Sequence, residues 1–152
     1  EMQYLGYNYR ITDIQCALAI SQMDKINLFL DARKSMARFY DQAFAKVPNI
    51  TPLQKHGRES SSHHIYVVSI DFNKIGISRH QFMQKLAEQG IGSQVHYIPV
   101  VSQPYYQDLG YKSEQYPTTD SYYQNTLSIP LYYGLSDFDQ KMVVSSIKVL
   151  LT

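Results

Sequence analysis

The sequence predicts an α/β sandwich: a small, mainly antiparallel sheet with helices on one face. Three observations predict it. Apolar residues at helical spacing open the chain, return after residue 78 and close it. Short β-branched and aromatic runs lie between them, at 64–70, 91–97 and 127–131. The strands are few, which leads to the expectation of a small sheet. The order is a long helix, β-α-β, a loop region, β and a last helix.

Thr12-Asp13-Ile14-Gln15 is a capping box, with Asp13 at the positive end of the helix dipole. Ile14, Ala17, Leu18, Met23, Ile26, Phe29, Leu30, Ala37, Phe39 and Phe44 follow at helical spacing. Residues 13 to about 45 therefore read as one long helix, or two with a bend near Asp31. Pro48 and Pro52 end it. At 1.5 Å per residue it would span about 50 Å, more than a domain this size covers, so part of it is expected to pack on another domain or subunit. Residues 53–62 read as a loop, 64–70 as a strand and 73–76 as a turn. Ser78-Arg79-His80-Gln81 is a second capping box, and its helix stops at Gly90, a left-handed cap. Residues 91–97 alternate as a second strand, closed by Pro99. Residues 98–117 are loop with short helical pieces and 118–125 a helical stretch. Residues 127–131 form a strand, and Ser136 starts the last helix.

Composition excludes several classes. The chain has 152 residues, 44% hydrophobic and 18% charged, which suits a folded domain and not a disordered one. The net charge of +1 offers no basic face for nucleic acid. No apolar run reaches the ~18 residues of a membrane span. The lone cysteine, Cys16, fits a reducing compartment and reads as a small buried thiol. Fourteen tyrosines stand beside no tryptophan; an ordinary aromatic core is the first reading, a half-wet interface or ligand cleft the second. The opening at Glu1 reads as entry into the middle of a longer protein.

No metal motif is present: His56, His63, His64, His80 and His96 form neither an HExxH pair nor a Cys–His cluster. There is no Walker loop, no GxGxxG and no GxSxG. Two segments are more elaborate than a scaffold needs. In Gly6-Tyr7-Asn8-Tyr9-Arg10-Ile11-Thr12, an amide and a guanidinium precede a capped helix, a set suited to an anion. A loop whose polar groups bind their own backbone would use the same residues. In Gln94-Val95-His96-Tyr97-Ile98-Pro99-Val100, with Gln103-Pro104-Tyr105-Tyr106, a strand end runs into a proline-fixed aromatic loop, where α/β proteins place ligands. A packed loop is the alternative.

Residues 6–18 resemble the signature of the DegT/DnrJ/EryC1/StrS sugar-nucleotide aminotransferases. His96-Tyr97-Ile98-Pro99-Val100, Gln103 to Tyr106, Leu109-Gly110, Pro117, Leu127 to Leu131 and Gly134-Leu135-Ser136 match the C-terminal part of that family in order and spacing. The wording around Gly90 to Gly92, Val95 to Tyr97 and Tyr122-Tyr123 is similar to the branch that aminates a 4-keto-6-deoxy UDP-amino sugar on the way to pseudaminic acid.

The resemblance implies the small C-terminal domain of an aspartate-aminotransferase-like, fold type I pyridoxal-phosphate enzyme. Residues 1–152 would be that domain, with the interdomain helix at about 12–46 and the large cofactor domain absent. It implies pyridoxal 5'-phosphate as cofactor, glutamate and a nucleotide sugar, UDP-linked, as partners, a homodimer and a cytoplasmic setting. None of the chain's nine lysines sits in the context of the family's Schiff-base lysine, so the chain holds no catalytic residue and is expected to be inactive alone. Asn8 resembles the family's asparagine that reaches the cofactor phosphate of the partner subunit, with Arg10 in the same shared cleft. Gln94, His96, Tyr97 and Pro99 correspond to the loop lining the sugar-nucleotide site. A stand-alone binding or regulatory module is the alternative.

Overall fold

Both capping boxes form in the computed structural model, which describes residues 6–7, 9–53 and 61–152. Thr12 Oγ1 accepts the Gln15 amide while Gln15 Oε1 accepts the Thr12 amide, opening α1 (Asp13–Met23). A second helix, α2 (Ile26–Phe44), follows after two residues. The break falls at 24–25, not near Asp31. There the Lys25 amide bonds the Gln22 carbonyl in a tighter turn, and the ladder restarts from the Lys25 carbonyl to Phe29. No proline or glycine marks this break, so the sequence holds no signal for it.

A short strand absent from the sequence reading comes next, β1 (Ile50–Pro52). Its three residues pair antiparallel with β2 (Tyr66–Ile70), with Pro52 opposite Val68. Proline is tolerated because β1 is an edge strand. A one-turn helix, α3 (Phe72–Ile75), replaces the expected turn; Asp71 caps it and Gly76 ends it at φ 72°. Then comes α4 (Arg79–Glu88), capped by Ser78 and Gln81. It ends as expected at Gly90: the Gly90 amide bonds the Ala87 carbonyl and the Ile91 amide the Leu86 carbonyl, a Schellman motif. Two short helices follow, α5 (Pro104–Asp108) and α6 (Pro117–Asn125). Arg79 ties α6 to α4, donating to the Tyr123 carbonyl and lying 4.6 Å from that ring's centre. The chain closes with β3 (Thr126–Ile129), which pairs antiparallel with β2, and α7 (Asp137–Leu150), capped by Ser136.

The sheet order β1-β2-β3 places β2 in the centre. Tyr66, Val68 and Ile70 point to one face, where they meet Ala37, Tyr40 and Phe44 of α2, Phe82 and Leu86 of α4, and Val143 and Ile147 of α7. The core is therefore single and one-sided, as the sandwich predicts. Tyr40 stacks on Phe44, sits 4.9 Å from the Tyr66 ring, and donates its hydroxyl to the Pro130 carbonyl at 2.8 Å. Gln140, buried on α7, donates to the Met36 carbonyl of α2 at 2.8 Å.

Three expectations change. The segment 91–97 is not a strand: only Gln94 pairs, with Ser128, through both backbone groups at 3.1 and 2.8 Å. Extension of the ladder would join residue 92 to Pro130 and residue 96 to Thr126. Pro130 has no amide, and the Thr126 amide caps α6 at the Tyr122 carbonyl. The tyrosines do not make the core. Only Tyr40 and Tyr66 are buried among the described residues, whereas Tyr97, Tyr105 and Tyr132 are more than half exposed. Nor is Cys16 a buried thiol: it is half-buried on α1, a helix that buries no residue.

Candidate functional site

The Schellman turn at Gly90 and the lone Gln94–Ser128 bridge lay residues 90–96 along the open edge of β3. A cavity of about 620 Å³ opens between this segment, the exit of β3 and the first turns of α7. Its walls are apolar, from Ile65, Leu131, Leu135, Met142 and Val143; one corner is polar, from Ser93, Gln94, His96 and Ser128. The lining carboxylate of Asp139 is engaged locally, accepting from the Ser136 hydroxyl at 2.6 Å. The corner thus offers amide, imidazole and hydroxyl groups, a set that recognises hydroxyls and carbonyls of a polar ligand.

His96 is held on two sides. Its Nδ1 lies 2.7 Å from the Ser128 hydroxyl, and its ring meets Tyr97 edge-on at 4.7 Å. The peptide joining the two is cis. Ser128 is 7% exposed. Its side chain lies on the sheet face opposite Leu127 and Ile129, as does that of Gln94 across the bridge.

Of the four residues expected at the sugar site, Gln94 and His96 line the cavity. Tyr97 and Pro99 are not among its described lining residues. Tyr97 is 75% exposed, and Pro99 precedes a tight turn at Val100–Ser102. Asn8 lies outside the described residues. Arg10 is exposed just ahead of α1, and no described residue of the 6–12 segment lines the cavity. Ser128 was missed as a site residue. Its signal was a serine between two apolar residues in a predicted strand.

Among the described residues no three His, Cys, Asp or Glu side chains gather to hold a metal, and no helix is long and apolar enough to cross a membrane. A guanidinium at the mouth of a capped helix has the donor chemistry for a phosphate, so Arg10 fits that end of pyridoxal phosphate.

Comparison with known proteins gives the chain's relatives. A Campylobacter jejuni UDP-4-amino-4,6-dideoxy-N-acetyl-β-L-altrosamine transaminase is 34% identical over 143 residues, covering 94% of this chain and 38% of that protein. The putative sugar aminotransferase Spr1654 from Streptococcus pneumoniae superposes with a TM-score of 0.85 at 32% identity, over 93% of this chain and 35% of its own. That protein has also been solved in forms carrying pyridoxal phosphate and pyridoxamine phosphate. Helicobacter pylori PseC, an aminotransferase involved in the biosynthesis of pseudaminic acid, superposes at 0.89 with 26% identity, over 99% of this chain and 40% of its own. The chain thus spans about two fifths of the length of these relatives. The model of one family matches residues 1–148, and on that match the chain belongs to the DegT/DnrJ/EryC1/StrS aminotransferase family.

Proposed function

We propose that this chain is the small C-terminal domain, with its interdomain helix at about residues 12–46, of a pyridoxal-phosphate-dependent sugar-nucleotide aminotransferase. The complete protein moves an amino group from glutamate to a 4-keto-6-deoxy sugar carried on a nucleotide, UDP in this reading. It works as a cytoplasmic homodimer in making a surface-glycan or pseudaminic-acid-type sugar. The observation that carries the reading is the polar corner of the cavity, where Gln94 and His96 of the family's sugar loop come together over Ser128. The α1 surface supports the domain assignment. Ile14, Leu18, Ile20 and Met23 are all more than 60% exposed and are spread around the helix, so that α1 is apolar on more than one side, a surface that a large domain or second subunit would cover.

Pyridoxal phosphate supplies the electron sink for amino transfer. This chain's residues bind and orient. Arg10, with Asn8, would hold the cofactor phosphate by charge and hydrogen bonding. Gln94 and His96 fix the sugar by its hydroxyls and carbonyl, and the apolar cavity walls exclude water. The lysine that carries the cofactor belongs to the large domain, and so the 152-residue chain is inactive alone.

The test is the absorption spectrum of the full-length protein with pyridoxal phosphate, before and after glutamate. A visible cofactor band that glutamate bleaches, and that a UDP-linked 4-keto-6-deoxy sugar restores, is expected. Absence of the band overturns the reading and leaves a binding or regulatory module.

A further inference from the structure

Ser128 does two things at one residue. Its backbone N–H and C=O bind Gln94, and its hydroxyl meets His96 Nδ1 at 2.7 Å. Among the described residues these hydrogen bonds tie 94–96 to the sheet. The ladder cannot extend on either side, because Pro130 lacks an amide and the Thr126 amide is committed to Tyr122. The His96 ring is therefore not aimed by strand geometry. It is aimed by one hydrogen-bonding hydroxyl, beside its edge contact with the exposed Tyr97 ring, and that hydroxyl sits on a residue buried in β3. Whichever partner donates, the Nδ1 edge of the imidazole is spent on Ser128, and Nε2 is the nitrogen left for a ligand.

We propose that Ser128 is a positioning residue: it fixes the rotation of the His96 imidazole so that Nε2 meets a hydroxyl or carbonyl oxygen of the nucleotide sugar in the cavity. The proposal rests on the sugar-binding role given to His96 above. A rotating imidazole would pay for its ordering when the sugar binds; a held one has already done so. Ser128 acts on affinity for the sugar and leaves the glutamate half of the reaction untouched.

The experiment is a double-mutant cycle in the full-length protein loaded with pyridoxal phosphate. The probe is UDP-4-amino-4,6-dideoxy-N-acetyl-β-L-altrosamine, the amino sugar of the Campylobacter relative's name, and the readouts are its KM for bleaching the cofactor band and cofactor retention on dialysis. Ser128→Ala is expected to raise that KM about fivefold, the loss of one hydrogen bond, with bleaching by glutamate and cofactor retention unchanged. In a His96→Ala background, Ser128→Ala is expected to add nothing, because the group it orients is gone. An equal loss in both backgrounds means that Ser128 supports only the strand, and overturns the proposal. Ser128→Thr and Ser128→Val are alike in shape and differ in the hydroxyl. They repeat the comparison if the alanine variant does not fold, and equal KM values for the two overturn the proposal as well. If His96→Ala leaves KM unchanged, His96 is not in the sugar site and the positioning role falls with it, while bleaching by glutamate still upholds the aminotransferase reading. If glutamate bleaches nothing in the unmutated protein, both fall.

Discussion

Tyr66→Phe removes one oxygen from the centre of the sheet. The Tyr66 hydroxyl donates to Asp41 Oδ1 at 2.6 Å, a hydrogen bond to a charged acceptor, and the residue is 4% exposed. Such bonds contribute about 1.5–3 kcal/mol. Asp41 is half-buried and recovers water when the hydroxyl leaves, which selects the lower end, about 1.5 kcal/mol, or a loss in Tm of about 3–6 °C for a chain of this size. The same bond has an alkaline signature. Burial first, then the hydrogen bond and charge of Asp41, hold the Tyr66 hydroxyl well above its ordinary value of 10.0; burial, with Tyr132, does the same for Tyr40. In both cases the folded state keeps a proton that the unfolded chain releases. The stability is thus fully present below about pH 10 and is lost as pH rises above it. Each tyrosine costs about 1.4 kcal/mol per pH unit in that window, so the unmutated chain falls by about 2.7 per unit and the variant by about 1.4. A deficit of about 1.5 kcal/mol at pH 8 should then close near pH 11. Urea unfolding of the chain at pH 8, 10 and 11 measures it. Parallel curves, or a deficit under about 0.5 kcal/mol at pH 8, refute the charged-acceptor assignment.

Two further outcomes bear on the proposed partner surfaces. Helix α1 has 11 residues and buries none of them. Since helices below about 12–15 residues are marginal unless packed, its amides should exchange within seconds in the isolated chain and slowly in the full-length protein. Protection in the isolated chain equal to that of α7 would remove the need for a covering domain. Asn8→Ala in the full-length protein should weaken cofactor retention by about 1–3 kcal/mol, the loss of a bond to a charged acceptor, measured by dialysis against pyridoxal phosphate; unchanged retention removes Asn8 from the phosphate site.

Side-chain chemistry local in sequence was legible from sequence alone. Thr12 with Gln15, Ser78 with Gln81, and Gly90 with the Leu86 and Ala87 carbonyls are all set within a few residues, and all three form as read. What was not legible depends on partners far away along the chain. The turn at Asp24-Lys25 carries no breaker residue. Strand β1 is three residues with a proline, and only its pairing with Val68, Ser69 and Ile70 of β2 makes it a strand. The reading of 91–97 as a strand followed alternation correctly, yet alternation cannot report that the opposite edge runs out of amides. Tyrosine content was misleading for a related reason. A count cannot separate the two rings that fill the core from those that line the surface.

The four residues of β3 explain why the polar corner lies where it does. Leu127 and Ile129 face the helices and are 0% and 4% exposed, so this strand is fixed by the core. Thr126 and Pro130 close its outer edge at both ends, one by spending its amide on α6 and the other by having none. Ser128 alone remains to bind a neighbour on that edge, and Gln94 is the neighbour. A longer edge would have drawn residues 92–96 into a regular strand and passed the next ladder hydrogen bonds through His96. The short edge leaves His96 free of the ladder and one bond away from a buried hydroxyl. Rigidity of the core is thus transmitted to the imidazole through the Ser128 hydroxyl, and a change at Thr126 or Pro130 that lengthened the ladder should disturb the polar corner without touching it.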